Sequence, residues 1–172
     1  RPERPLIFCK PTTAVIGPEE PIVLPAMAPD EVDYEAELAI VVGRIAKRLT
    51  PSEALGAVFG FTCANDVSAR DCQKRIDRQW TRAKGFDTFC PLGPWIETGL
   101  DPTNLRVRLR LNGRTMQEGS TTAMVFPIPY LISYLSQAFT LLPGTVILTG
   151  TPAGVGVARK PPVYLRAGDT TE

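Results

Sequence analysis

Proline and glycine punctuate this chain closely enough to limit the folds open to it. Seventeen prolines and 14 glycines are spread through 172 residues, with proline at roughly double its usual share of about 5%. They fall between short apolar runs rather than inside long ones. Proline fixes φ and removes a backbone donor, so a helix bundle does not fit such a sequence. A many-stranded, turn-rich architecture does. No repeat, low-complexity tract or linker divides the chain, which predicts one domain over residues 1–172. Apolar residues at 44% and charged residues at 22% are the proportions of a globular chain, not a disordered one.

Several function classes drop out early. The apolar run Ala39–Val42 is far shorter than the roughly 18–20 residues of a membrane span. The net charge is +1, from 19 Lys and Arg against 18 Asp and Glu. A nucleic-acid binder usually carries a basic excess, so no nucleic acid and no membrane are expected as partners. Cys9, Cys63, Cys72 and Cys90 form no C-x-x-C pair, which argues against a zinc knuckle or redox motif. They read as reduced thiols of a cytoplasmic protein. Histidine is absent, which removes Ser-His-Asp, Cys-His and His-ligated metal chemistry from these residues.

The local pattern predicts short edge strands at Leu6–Phe8, Ala14–Gly17 and Ile22–Pro25, and a strong strand over Val32–Gly43. Thr50-Pro51-Ser52-Glu53 has the form of a capping box opening a short helix through Ala57. A buried strand is expected over Val58–Cys63, partial helix over Ser68–Arg82, and strands over Trp95–Thr98, Arg106–Leu111 and Val146–Thr149. Asn112-Gly113 signals a type I′ hairpin. Tyr130, Leu131, Tyr134, Leu135 and Ala138 share one face of a helix over Pro129–Phe139.

Four features carry possible chemistry. Glu35 and Glu37 sit at i and i+2, which on a strand puts two carboxylates on one face about 7 Å apart. Like charges so placed need a cation between them, or else the half-strand faces water. Asp66 follows an apolar strand and either caps the next helix or adds a third oxygen donor. Glu35, Glu37 and Asp66 together would make an all-oxygen site suited to Mg²⁺, Mn²⁺ or Ca²⁺ and unsuited to zinc. Between Arg70 and Lys84 lie six basic residues against two acids. Most of these read as a solvated face, while apolar neighbours after Lys84 could desolvate its ammonium. The loop Thr149–Gly156 could cradle a carboxylate or phosphate with its amides, and lacks the endings of a P-loop or Rossmann turn.

The order of these segments is more specific than any one of them. Tyr34-Glu35-Ala36-Glu37-Leu38, Asn65-Asp66-Val67-Ser68-Ala69-Arg70-Asp71, Lys84-Gly85-Phe86-Asp87-Thr88-Phe89, Pro91-Leu92-Gly93-Pro94, Asn112-Gly113 and Thr149-Gly150-Thr151-Pro152 follow one another collinearly. This arrangement resembles the fumarylacetoacetate hydrolase family over nearly the whole chain. The stretch Gly154–Gly168 is similar to the branch acting on 2-oxo acids and acylpyruvates, including 2-hydroxyhepta-2,4-diene-1,7-dioate isomerases. The resemblance implies an α+β, β-rich fold, a mixed β-sandwich roll with a few short peripheral helices. It further implies a homodimer and one Mg²⁺ or Mn²⁺ per site on Glu35, Glu37 and Asp66. Substrate contacts are implied at Arg70, Gln73, Lys84 and Thr151, with Lys84 catalytic. Family hydrolases carry a His/Glu pair on a lid preceding the region that matches Leu6–Lys10, and a C-terminal strand after the Gly-Asp turn. The chain therefore reads as the internal portion of a longer protein.

The expected activity is that of a divalent-metal-dependent enzyme on a 2-oxo acid with a second carbonyl. C–C hydrolysis of an acylpyruvate through an enolate comes first. Oxaloacetate decarboxylation and isomerisation of an unsaturated 2-oxo diacid follow, since neither needs an activated water. A catalytically silent protein that binds metal and oxo acid is the rival from another class. A salt-bridge network holding no metal is a weaker third.

Overall fold

The computed structural model describes residues 2–172. Five strands form one mixed sheet in the order β1 (Val15–Ile16), β6 (Cys90–Glu97), β4 (Val58–Asn65), β3 (Ala36–Val42), β9 (Val146–Leu148). All neighbours are antiparallel except β1 and β6. β2 (Val32–Asp33) pairs with β5 (Ser68–Ala69), and β7 (Arg106–Leu111) with β8 (Arg114–Ser120), as separate antiparallel ribbons. Among the described residues the α-helices are α1 (Pro51–Ala54), α2 (Trp80–Lys84) and α3 (Ile128–Ala138), and a wide helical turn over Cys72–Ile76 with α2 makes up the partial helix expected after Ser68. This is the strand-rich, curled architecture expected of an α+β roll.

Alternation along β3 explains the core. Ala36, Leu38, Ile40 and Val42 share one face and feed two buried clusters. One holds Tyr34, Ala36, Val67, Phe89, Leu109, Leu111 and Met116. The other seats Ile128 and Ile132 of α3 against Leu38, Ile40, Val42, Phe61 and Ile147. A groove of about 1240 Å³ runs along this same face, walled by Leu38, Phe61, Cys63, Val107 and Leu109. Glu37 pairs with Ala64, whereas Leu38 pairs with Cys63, so the Glu37 side chain points to the other face of the sheet.

Many local expectations hold. Glu53 accepts from the amide and hydroxyl of Thr50 at 2.8 and 2.7 Å, closing the capping box. Asn112 and Gly113 take φ of +50° and +77° in the β7–β8 turn. Others are corrected. Leu6–Phe8 and Ile22–Pro25 pair with no strand. Prolines bracket both segments and remove ladder donors, and the Val23 amide turns to Thr88 Oγ1 instead. Val32–Gly43 is not one strand: it breaks at Tyr34-Glu35, where the chain leaves the β2–β5 ribbon for the large sheet. At that break, side chains replace ladder partners, with Asn65 Oδ1 accepting from Glu35 N and Gln117 Oε1 from Ala36 N, both at 2.9 Å.

Candidate active site

The break between β2 and β3 builds the site. Glu35 lies in it, Glu37 is the second residue of β3, and Asp66 follows the end of β4. Asp66 N donates to Glu35 O at 2.8 Å, which locks the two turns together. As a result, oxygens of Glu35, Glu37 and Asp66 all lie within 4.8 Å of one another, and all three residues are buried. The alternative of a water-facing half-strand is thereby set aside. So is a helix cap at Asp66, because its carboxylate is held by two lysines.

Lys84, at the end of α2, is 1% exposed. Its Nζ donates to Glu35 Oε2 at 2.9 Å and to Asp66 Oδ2. The rings of Phe8 and Trp80 stand 4.9 and 5.9 Å from the same ammonium. Burial works against the charge, but Asp66 and Glu35 outweigh it and hold the lysine above its ordinary range. Arg70 is likewise buried and pairs with Asp33 through Nε at 2.9 Å and with Glu35 through Nη2 at 2.5 Å. Its Nη1 donates to Gln73 Oε1 at 2.9 Å, which leaves the Gln73 amide NH₂ as a donor. Lys74, Arg75, Arg78 and Arg82 face solvent, as a charged face should.

Among the described residues Glu37 has no cationic partner of its own, and its Oε2 accepts only from Gly150 N, at 2.5 Å. Burial, then the charges of Asp66 and Glu35, push its carboxyl well above the usual range, against the pull of Gly150 and Lys84. A buried carboxylate in that state suits a hard divalent cation. Glu35, Glu37 and Asp66 could each supply one oxygen to such an ion.

The loop after β9 turns its amides to the chain's own carboxylates. Gly156 N and Val157 N donate to Asp33 at 2.7 and 3.0 Å, while Gly150 N takes Glu37. The cradle predicted for an external anion is in these places already filled. Thr151 sits beside Ala36, with Oγ1 donating to Ala36 O at 2.9 Å. Glu35, Glu37, Asp66, Arg70, Gln73 and Lys84 are thus joined or adjacent, and Thr151 borders the same backbone.

Sequence reasoning overlooked Lys10, Asp33 and Gln117. Asp33 extends the Glu35/Glu37 alternation by one step and could have been found from it. Lys10 donates to Asp66 Oδ1 at 2.8 Å, Lys84 O at 2.5 Å and Val67 O at 3.4 Å, which places all three of its protons. Burial lowers its pKa, and Asp66 offsets this only in part. No local spacing marks Lys10 or Gln117.

Comparison with known proteins shows the family. Residues 1–172 match the family described as fumarylacetoacetate (FAA) hydrolase C-terminal. The chain is 49% identical over 175 residues to the mitochondrial oxaloacetate tautomerase FAHD2A of Homo sapiens, covering 99% of this chain and 55% of that protein. It therefore spans about half the length of the curated relatives it matches. A 5-carboxymethyl-2-hydroxymuconate delta-isomerase structure from Mycobacterium smegmatis superposes with a TM-score of 0.91 at 52% identity, covering 99% of this chain and 64% of that one. A fumarylacetoacetate hydrolase structure from Exiguobacterium antarcticum gives 0.93 at 45% identity, covering 96% and 60%. The chain belongs to the fumarylacetoacetate hydrolase family of enzymes.

Proposed function

We propose that these residues form the site of a divalent-metal-dependent enzyme that enolises 2-oxo acids bearing a second carbonyl. The observation that carries this is a buried ammonium, Lys84, set among three carboxylates of which Glu37 lacks a cation. Glu35, Glu37 and Asp66 would hold Mg²⁺ or Mn²⁺, and such an ion supplies Lewis-acid polarisation of the 2-oxo group. Lys84 engages two carboxylates and has a third N–H for the oxygen on which enolate charge develops. Arg70 keeps two further N–H groups, and Gln73 its amide NH₂, for the substrate carboxylate. Thr151 completes the contacts.

Decarboxylation of an oxaloacetate-like diacid needs that enolate to be stabilised and then protonated by solvent. Tautomerisation needs in addition a water or side chain to carry the proton between carbon and the enol oxygen. Acylpyruvate hydrolysis also needs a base on water, and none of the side chains gathered here is free to act as one. Hydrolysis is the second reading, favoured by the 45% identity to a structure named as a fumarylacetoacetate hydrolase. A homodimer belongs to the same proposal and is tested by sedimentation. So does a reducing compartment for the four free cysteines. We keep the cytoplasm as the expected one, although animal relatives are named as mitochondrial.

Oxalate mimics the pyruvate enolate, and calorimetry with and without Mg²⁺ tests the site directly. Binding that requires Mg²⁺ and disappears in Glu37→Ala is the expected result. Metal-independent binding, or none to a folded sample, would sink the assignment. Oxalate binding without turnover of any 2-oxo acid would mark a silent binding protein instead.

A further inference from the structure

Asp33 is a buried acid that the proposed chemistry leaves unused. It ends β2, is 0% exposed, and lies opposite Ser68 in the β2–β5 ribbon. An ionised carboxylate offers about four acceptor positions, and here four donors take them. Oδ1 accepts from Tyr34 N at 2.9 Å and from Gly156 N at 2.7 Å. Oδ2 accepts from Val157 N at 3.0 Å and from Arg70 Nε at 2.9 Å. Nothing remains on Asp33 for an ion or a substrate. Three of the four donors are backbone amides, held in place by the main chain. They fix the carboxylate, and the carboxylate fixes Arg70.

A guanidinium is a rigid planar fork, so holding two of its nitrogens sets the direction of the remaining N–H groups. Asp33 takes Nε and Glu35 takes Nη2 at 2.5 Å. The Arg70 main chain is anchored as well, with its N donating to Glu31 O at 2.9 Å. Without Asp33, Glu35 would be the only carboxylate paired with Arg70 among the described residues, and Glu35 belongs to the trio that faces the ion. We propose that Asp33 is a positioning residue that aims Arg70 at the carboxylate of the 2-oxo acid before any ligand arrives. This rests on the reading of Arg70 as a substrate contact. Asp33 steers and does not touch, so its effect on binding should run through Arg70 alone.

Calorimetry with oxalate at saturating Mg²⁺ tests this as a cycle of variants. Asp33→Asn keeps the size of the side chain and removes its charge. Loss of a negative charge by itself favours an anion, so weaker binding would report lost aim. Asp33→Asn should weaken oxalate about tenfold, within the usual coupling between neighbouring groups. With Arg70→Met already in place, the same change should leave oxalate affinity equal or tighter. Equal weakening in both backgrounds would make Asp33 a support for the loop after β9 only, and overturns the proposal. So does an undiminished oxalate affinity in Asp33→Asn. The unaltered protein gives an independent arm should a variant fold poorly. Without ligand, heteronuclear NMR should resolve separate signals for the two Nη groups of Arg70, the mark of a guanidinium that does not rotate. A single averaged Nη signal overturns the proposal. Failure of the unaltered protein to bind oxalate with Mg²⁺ overturns the site assignment itself, and the role of Asp33 with it. Intact binding with a failed cycle removes the positioning role alone.

Discussion

Glu37 is the residue whose environment asks most for a partner. Its folded pKa lies above the usual 4.5 because burial and two neighbouring carboxylates oppose its charge. The folded state therefore binds a proton that the unfolded state has lost. Stability from this group is full below pH about 4.5 and is lost as pH rises through the higher folded value. Glu37→Gln should flatten that slope in the metal-free protein and stabilise it by about 1–3 kcal/mol at neutral pH, as urea titrations across pH would show. The same variant should lose Mg²⁺ binding. Lys84→Met makes the contrary case. Removing the ammonium should lower turnover of a 2-oxo acid by about 10²–10³ while leaving Mg²⁺ affinity equal or higher, since Lys84 no longer holds Glu35 and Asp66. Equal loss of metal binding and turnover would make Lys84 a structural residue only.

Among the elements, those with local causes were legible. The capping box at Thr50 and the Asn112-Gly113 turn are each written within a few consecutive residues. So is the helix α3, but its buried face runs through Ile128, Leu131, Ile132 and Ser136, and Tyr130 and Ala138 of the expected face are exposed. What eluded sequence reading depends on partners far along the chain. The break at Tyr34-Glu35 needs Asn65 and Gln117, which lie 30 and 81 residues from the amides they serve. The residue types of the carboxylate trio were readable, but their burial was not, because it comes from the packing of β3, β4 and the loop after β9. That loop admits little change. A Cβ on Gly156 would stand 1.8 Å from Val163 O and 2.6 Å from Asp33 Oδ1. Gly156→Ala should cost at least about 3 kcal/mol or prevent folding, and should free Arg70 by displacing Asp33. Gly113→Ala meets nothing within 4 Å and pays only for φ of +77°, about 1 kcal/mol. Thermal melts of the pair would show whether close approach or backbone strain matters more.

At the scale of the whole molecule, the carboxylates Asp33, Glu35 and Asp66 pair with three cations, Lys10, Arg70 and Lys84, and Glu37 lies beside Glu35 and Asp66. Segments from Lys10 to Val157 converge on them, so filling the centre should tighten the entire fold. Mg²⁺ at 100 times its Kd should add about 2.7 kcal/mol, visible as a rise in Tm that EDTA reverses and Glu37→Gln abolishes. An unchanged Tm at saturating Mg²⁺ would mean that the trio holds no ion. The neighbours of Lys84 have one more consequence. Its ammonium stands 5.9 Å from the Trp80 ring, and Trp95 lies exposed on β6. Indole emission responds to charge close to the ring. Any ligand that draws on Lys84 should therefore recolour Trp80 and leave Trp95 as a steady reference, giving the protein a built-in optical gauge of occupancy that needs no label.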